Sequence, residues 1–111
     1  MSFEFVTEPA YWDLVVHQGA SFTRTLEFET SIDDYEFRGQ IRPSHESEDV
    51  LASFSFTKVD SNTLGMALIP GTTEQLPVGN AVYDVEAFTF GDAFVVRLFE
   101  GCVSVTPEVT R

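Results

Sequence analysis

Cationic residues are scarce in this chain. Six Lys and Arg stand against eighteen Asp and Glu in 111 residues, a formal net charge of -12, so contact with nucleic-acid phosphates would work against the field of the whole molecule. That excludes a DNA- or RNA-binding role. It leaves two uses for the acid excess: holding copies of the chain apart in solution, or meeting a basic patch on a partner. Cysteine is scarcer still. Cys102 stands alone, so no intrachain disulfide can form, and its place in an apolar strand reads as buried filler. No run approaches the ~18 apolar residues of a membrane-spanning helix. The opening MSFEF lacks the basic and apolar regions of a secretory leader, so a chain made and left in a cytoplasm, with no membrane partner, is expected.

Groupings that carry chemistry are also missing. His17 and His45 are the two histidines, far apart and outside any HxH or HExxH spacing, which argues against a metal pair. Neither has a Ser or Cys neighbour in a nucleophile motif, and nothing near Cys102 in sequence would lower its pKa. The acid clusters Asp33-Asp34-Glu36 and Glu46-Glu48-Asp49 do not follow the EF-hand pattern and read as solvated turns. PGTTEQLPVG, residues 70–79, has glycines without the Lys of a phosphate loop. Acids are abundant enough that pairs suited to glycoside hydrolysis arise by chance. The expectation is a protein that is not an enzyme and takes no cofactor or metal.

What is abundant is the vocabulary of strands. Phenylalanine alone accounts for eleven residues, and Phe, Val and Thr fit pleated, half-buried surfaces better than helices. Residues 80–111 carry the strongest signal: two runs, 81–90 and 93–105, around a Gly91-Asp92 turn, read as the hairpin at the sheet centre. Both runs have apolar residues on both alternation sets, Tyr83 and Val85 against Phe88 and Phe90, then Val96 and Leu98 against Val95 and Phe99. The sequence therefore predicts cover on two sides, by the fold or by a neighbouring subunit. Glu100-Gly101 reads as a bulge.

The remaining chain supplies five more strands. Residues 1–13 form a lead-in arm, one that a partner would order, in which Tyr11 and Trp12 either close the core or anchor into that partner. A short strand over 14–17 follows. Residues 21–28 alternate cleanly, with Phe22, Leu26 and Phe28 inward and Arg24 laying its stem along the sheet. Residues 35–42 alternate again, Tyr35, Phe37, Gly39 and Ile41 inward, Glu36, Arg38, Gln40 and Arg42 outward. That outward row is either a solvated face with cross-strand pairs or the guard of an edge. A fifth strand with Ala52, Phe54 and Phe56 inward and a sixth with Leu64, Met66 and Leu68 make a second hairpin about Asp60-Ser61-Asn62. Residues 70–77 read as a crossover between sheets, with Leu76 buried and Thr72 or Thr73 as helix cap. The predicted fold is one all-β domain over 1–111, an antiparallel two-sheet sandwich of about seven strands, immunoglobulin-like, with a small barrel second.

Three stretches together resemble a family of small virion proteins of tailed bacteriophages and prophages. The residues that carry it are Gln18-Gly19, Gln40-Ile41-Arg42, Tyr83-Asp84-Val85-Glu86 and Arg97-Leu98-Phe99-Glu100-Gly101; Asp33-Asp34-Tyr35 departs from the glycine-bearing turn of the family. The arrangement is also similar to the amino-terminal β-sandwich of baseplate upper proteins, a fold-level analogy. The resemblance implies a non-enzymatic virion subunit in the tail or baseplate, an adaptor for fibres or receptor-binding proteins, present in several copies among other virion proteins. A capsid decoration or neck protein is the second reading. A carbohydrate-binding module using Tyr11, Trp12 and Tyr83 is the third. The contact residues expected are Tyr11, Trp12, Glu36, Arg38, Gln40, Arg42, Phe88 and Phe90.

Overall fold

The computed structural model of the chain describes residues 2–3, by their backbone, and 9–110. The other residues of the lead-in arm lie outside the described part. Among the described residues ten strands follow in order: β1 (Ser2–Phe3), β2 (Ala10–Tyr11), β3 (Leu14–His17), β4 (Phe22–Phe28), β5 (Glu36–Arg42), β6 (Ala52–Ser53), β7 (Ser55–Asp60), β8 (Thr63–Leu68), β9 (Gly79–Phe88) and β10 (Val95–Thr106). One helical turn, α1 (Pro70–Thr73), and a 3-10 turn, Phe90–Asp92, complete the list. β1, β2 and β6 are two-residue pairings; the other strands are the seven that the alternation patterns predict.

The strands form two sheets, one ordered β1-β4-β8-β7, the other β2-β10-β9-β5-β6 with β3 also on β10. Inward side chains from both sheets meet in one core: Phe22 lies 6.1 Å from Phe54 and Phe28 5.8 Å from Phe37, ring centre to ring centre. The clean alternation of β4 and β5 is what brings these faces together, since every second residue points the same way. Ile32, in the loop before β5, is fully buried between them, a plug that the polar sequence around it concealed.

Three expectations need correction. The sandwich is not wholly antiparallel: β1 on β4, β2 on β10 and β3 on β10 are parallel pairs. The N-terminal strands reach their partners from far along the chain, so no short turn forces the antiparallel sense. The fifth predicted strand is two strands: Ala52–Ser53 pairs with β5 in one sheet, Ser55–Asp60 pairs with β8 in the other, and Phe54 turns the corner with its N–H on the Gly39 carbonyl, 3.0 Å. Its inward row survives because a corner residue faces the core from either sheet. Thr73 caps nothing: it is buried and its Oγ1 donates to the Ala20 carbonyl, 2.9 Å, while Ile69 holds the cap position. The crossover itself, from β8 in one sheet to β9 in the other with Leu76 buried, is as the sequence predicts.

β10 departs most instructively. The register passes from Arg97 opposite Glu86 to Phe99 opposite Val85, so Leu98 is the extra residue of a bulge placed before Glu100-Gly101, where the sequence had put it. Both Leu98 and Phe99 are buried, and the inward set changes from even to odd positions. The two apolar sets of this strand are thus one inward face with a phase shift, in place of two covered faces. The same shift turns Cys102 outward, where it is exposed, against the expectation of buried filler.

Gly101 has a separate job. The N-terminal chain crosses β10 there, with the Trp12 N–H on the Glu100 carbonyl at 2.9 Å and the Asp13 carboxylate accepting the Cys102 N–H at 2.9 Å. A Cβ on Gly101 would sit 2.6 Å from the Trp12 carbonyl oxygen, so only glycine admits the crossing. Beneath it the Tyr83 hydroxyl donates to that same carbonyl, and the Trp12 ring meets Phe99 edge-on at 5.4 Å.

Candidate functional site

With the inner face of the β10-β9-β5 sheet committed to the core, the outer face remains, and register decides what shares it. Glu36 lies opposite Phe88, Arg38 opposite Glu86, Gln40 opposite Asp84 and Arg42 opposite Val82. On the other side of β9, Phe88 faces Val95, Glu86 faces Arg97, Asp84 faces Glu100 and Val82 faces Cys102. Four cross-strand rows result, apolar at one corner and charged in the middle.

The charges are organised as pairs. The Arg38 guanidinium donates to Glu86 at 2.8 Å, reaches Asp92 at 3.4 Å and lies 4.4 Å from the Phe88 ring centre. Its pKa is held above the usual arginine value, chiefly by the hydrogen bond to Glu86. Arg97 stands between two acids that face one another, 3.4 Å from Asp84 and 3.1 Å from Glu100, and so offsets a like-charge pairing that would otherwise weaken the sheet. Arg42 donates to the Ser47 carbonyl at 2.8 Å and to Gln40 Oε1 at 2.9 Å. An open hollow of about 470 Å³ lies over these rows, with His45 and Asp84 among its lining residues. Burial pushes the Asp84 carboxyl above its ordinary value; Arg97 acts in the opposite direction and Glu86 and Glu100 add to the rise. Among the described residues no three His, Cys, Asp or Glu side chains converge to hold a metal ion.

The residues picked from sequence distribute unevenly. Glu36, Arg38, Gln40 and Arg42 stand on this face as one row with cross-strand partners, the first of the two uses foreseen for them. Phe88 joins them, half-buried under Arg38. Tyr11, 81% exposed, sits on the edge strand β2 opposite Glu100 and borders a small hollow with Val82 and Cys102. Trp12 does not join them: its partly buried ring packs on the core. Phe90 is not in a strand row with Phe88; it starts the 3-10 turn and is 98% exposed. Tyr83 is 3% exposed, and burial pushes its hydroxyl pKa well up, so Tyr11, Trp12 and Tyr83 share no exposed plane on which a sugar ring could stack.

Sequence reasoning missed Asp84, Glu86 and Arg97, the acids and base that complete the rows. The signal was present: placing Tyr83 and Val85 inward puts Val82, Asp84 and Glu86 outward by the period of two. No family model matches the chain, and no curated protein matches it.

Proposed function

We propose that this chain is a non-enzymatic structural subunit of a tailed-phage particle, an adaptor in the tail or baseplate region that joins neighbouring virion proteins. The observation that carries the reading is the outer face of the β5-β9-β10 sheet, where Glu36, Arg38, Gln40, Arg42, Asp84, Glu86 and Arg97 form cross-strand rows on three hydrogen-bonded strands. Charges displayed on such a face would set the register of a neighbour of complementary potential and reject wrong partners more than add affinity, which is what an assembly of many proteins requires. The sequence stretches that resemble small phage virion proteins support the same reading, and two of them, Gln40-Ile41-Arg42 and Tyr83-Asp84-Val85-Glu86, lie side by side on this sheet. The strand orders β1-β4-β8-β7 and β10-β9-β5-β6 support an immunoglobulin-like connectivity, with an ABED sheet and a GFC sheet extended by a short strand.

Cryo-electron microscopy of purified particles, with this chain traced into density, tests the reading. Density at the baseplate or a fibre root with the β5-β9-β10 face against a neighbour is the expected result. Density on the capsid lattice or neck moves the protein to decoration or neck, and absence from the particle rejects the structural reading.

A further inference from the structure

Three loops meet at the end of the sandwich where β10 begins. Residues 29–35 are pinned by buried Ile32, whose N–H is held by the Ser61 carbonyl at 2.7 Å, and Ser61 Oγ donates to Asp33 at 3.1 Å. The Tyr35 and Phe94 rings meet edge-on at 6.1 Å, and Arg38 reaches Asp92 at 3.4 Å, which ties residues 89–94 to the same end. At its tip stands Phe90, 98% exposed, with Phe94 46% and Val95 42% exposed beside it.

The tip is rigid. Thr89 N–H donates to the Phe94 carbonyl, Phe94 N–H to Thr89 Oγ1 and Asp92 N–H to the Thr89 carbonyl, each at 2.9 Å. The turn also places two successive residues in the left-handed region, Gly91 at φ 71° and Asp92 at φ 55°. Glycine and aspartate are among the residues that enter that region most readily, so the turn is met by the residues it requires. An aromatic ring carried on a closed turn exposes its apolar surface to a partner, and the backbone beneath it has little freedom left to lose when it docks. The same end of the sandwich carries Asp33, Asp34, Glu36, Asp60 and Asp92 against Arg38 and Lys58.

We propose that this loop end is a second docking surface, which seats Phe90 in an apolar pocket ringed by Lys or Arg on another protein. Charge decides among occupants. A second copy of this chain would bring the same acidic end and a net charge of -12, and an anionic lipid surface would repel the acids of that end. A basic-rimmed pocket gains from both features. The inference goes beyond the phage reading, because it holds for any partner protein of that chemistry.

The test is photo-crosslinking in cells that make the full chain from its own gene, with p-benzoylphenylalanine in place of Phe90, and at exposed Val109 beyond the far end of β10 as control. The thermal midpoint of the substituted chain is expected to match that of the parent. The expected product is one adduct specific to position 90, mapped by mass spectrometry to a peptide of another protein with Lys or Arg about it. Its yield should fall about tenfold in Asp34→Lys and, for the purified pair, as salt rises from ~0.1 to ~1 M and screening shortens from about 10 Å to about 3 Å. No adduct at position 90 from the folded chain overturns the proposal. So does an adduct to a second copy, to lipid or to a peptide without basic neighbours, or a yield indifferent to Asp34→Lys. Absence of the chain from phage particles would reject the adaptor reading and leave this result standing.

Discussion

The two ends of β10 use the same kinds of residue and put them in opposite situations. Toward its C-terminal end, Phe99, Val103 and Val105 are buried, with β3 laid along the strand and Trp12 and Tyr83 against Phe99. In the turn that leads into its start, closed on itself, Phe90 stands in water, and Phe94 and Val95 are partly exposed after it. The difference lies in what chain lies against each end, and in a single inserted residue, Leu98, that decides which residues point inward. One end of the strand holds the fold together; the other is left exposed.

That contrast can be broken by substitution, most severely at the covered end. Phe99→Ala should destabilise the protein by about 3–5 kcal/mol, read as a large fall in the denaturant midpoint; a loss under about 1 kcal/mol would mean the seam is not where stability resides. Gly101→Ala should cost about 1–3 kcal/mol, because the new methyl group meets the Trp12 carbonyl and the N-terminal strands must shift to admit it. Hydrogen exchange of the β3 amides should quicken with it. Tyr83→Phe, which removes only the hydroxyl that donates to Trp12, should cost about 0.5–1.5 kcal/mol.

On the outer face the sharpest handle is pH. The Asp84 carboxyl is raised in the folded protein, chiefly by burial, so the folded state holds its proton more tightly than the unfolded chain. Stability therefore falls as pH climbs from the ordinary carboxylate value through the raised one. Asp84→Asn should remove that fall and raise the thermal midpoint at neutral pH; an unchanged pH profile would place the cost elsewhere. Asp60 gives the opposite sign. Its carboxylate, lowered chiefly by the Asn62 backbone N–H, contributes stability above the ordinary value that is lost as pH falls through the depressed one. The smallest effect is expected at the uncovered end of β10, where Phe90→Ser should change stability by less than about 0.5 kcal/mol.

Much of this organisation is legible in the sequence. β4 and β5 follow from strict alternation, and the outward row Glu36, Arg38, Gln40 and Arg42 is placed by it without error. The turn at Ser61-Asn62 and the crossover with Leu76 inward were equally plain. What failed depends on a shift of phase or on distant contact. A bulge changes the parity of every later residue, so misplacing it misassigned Cys102 and made one face of β10 look like two. Parallel pairing of β2 and β3 with β10 joins residues some ninety positions apart, as Asp13 with Cys102, and local pattern does not record it. Phe90 looked like a strand residue because its aromatic ring fits strand composition, whereas the glycine after it ends the ladder and leaves the ring in solvent.

The central claim is that the covered half of β10 serves the fold while the uncovered half and the adjoining charged face serve assembly. It is tested most directly by quantifying the Phe90→Ser chain in particles purified from cells that make it at parental level with a parental midpoint. The account predicts a folded protein depleted about tenfold or more from the particles. Incorporation equal to that of the parent chain would contradict it.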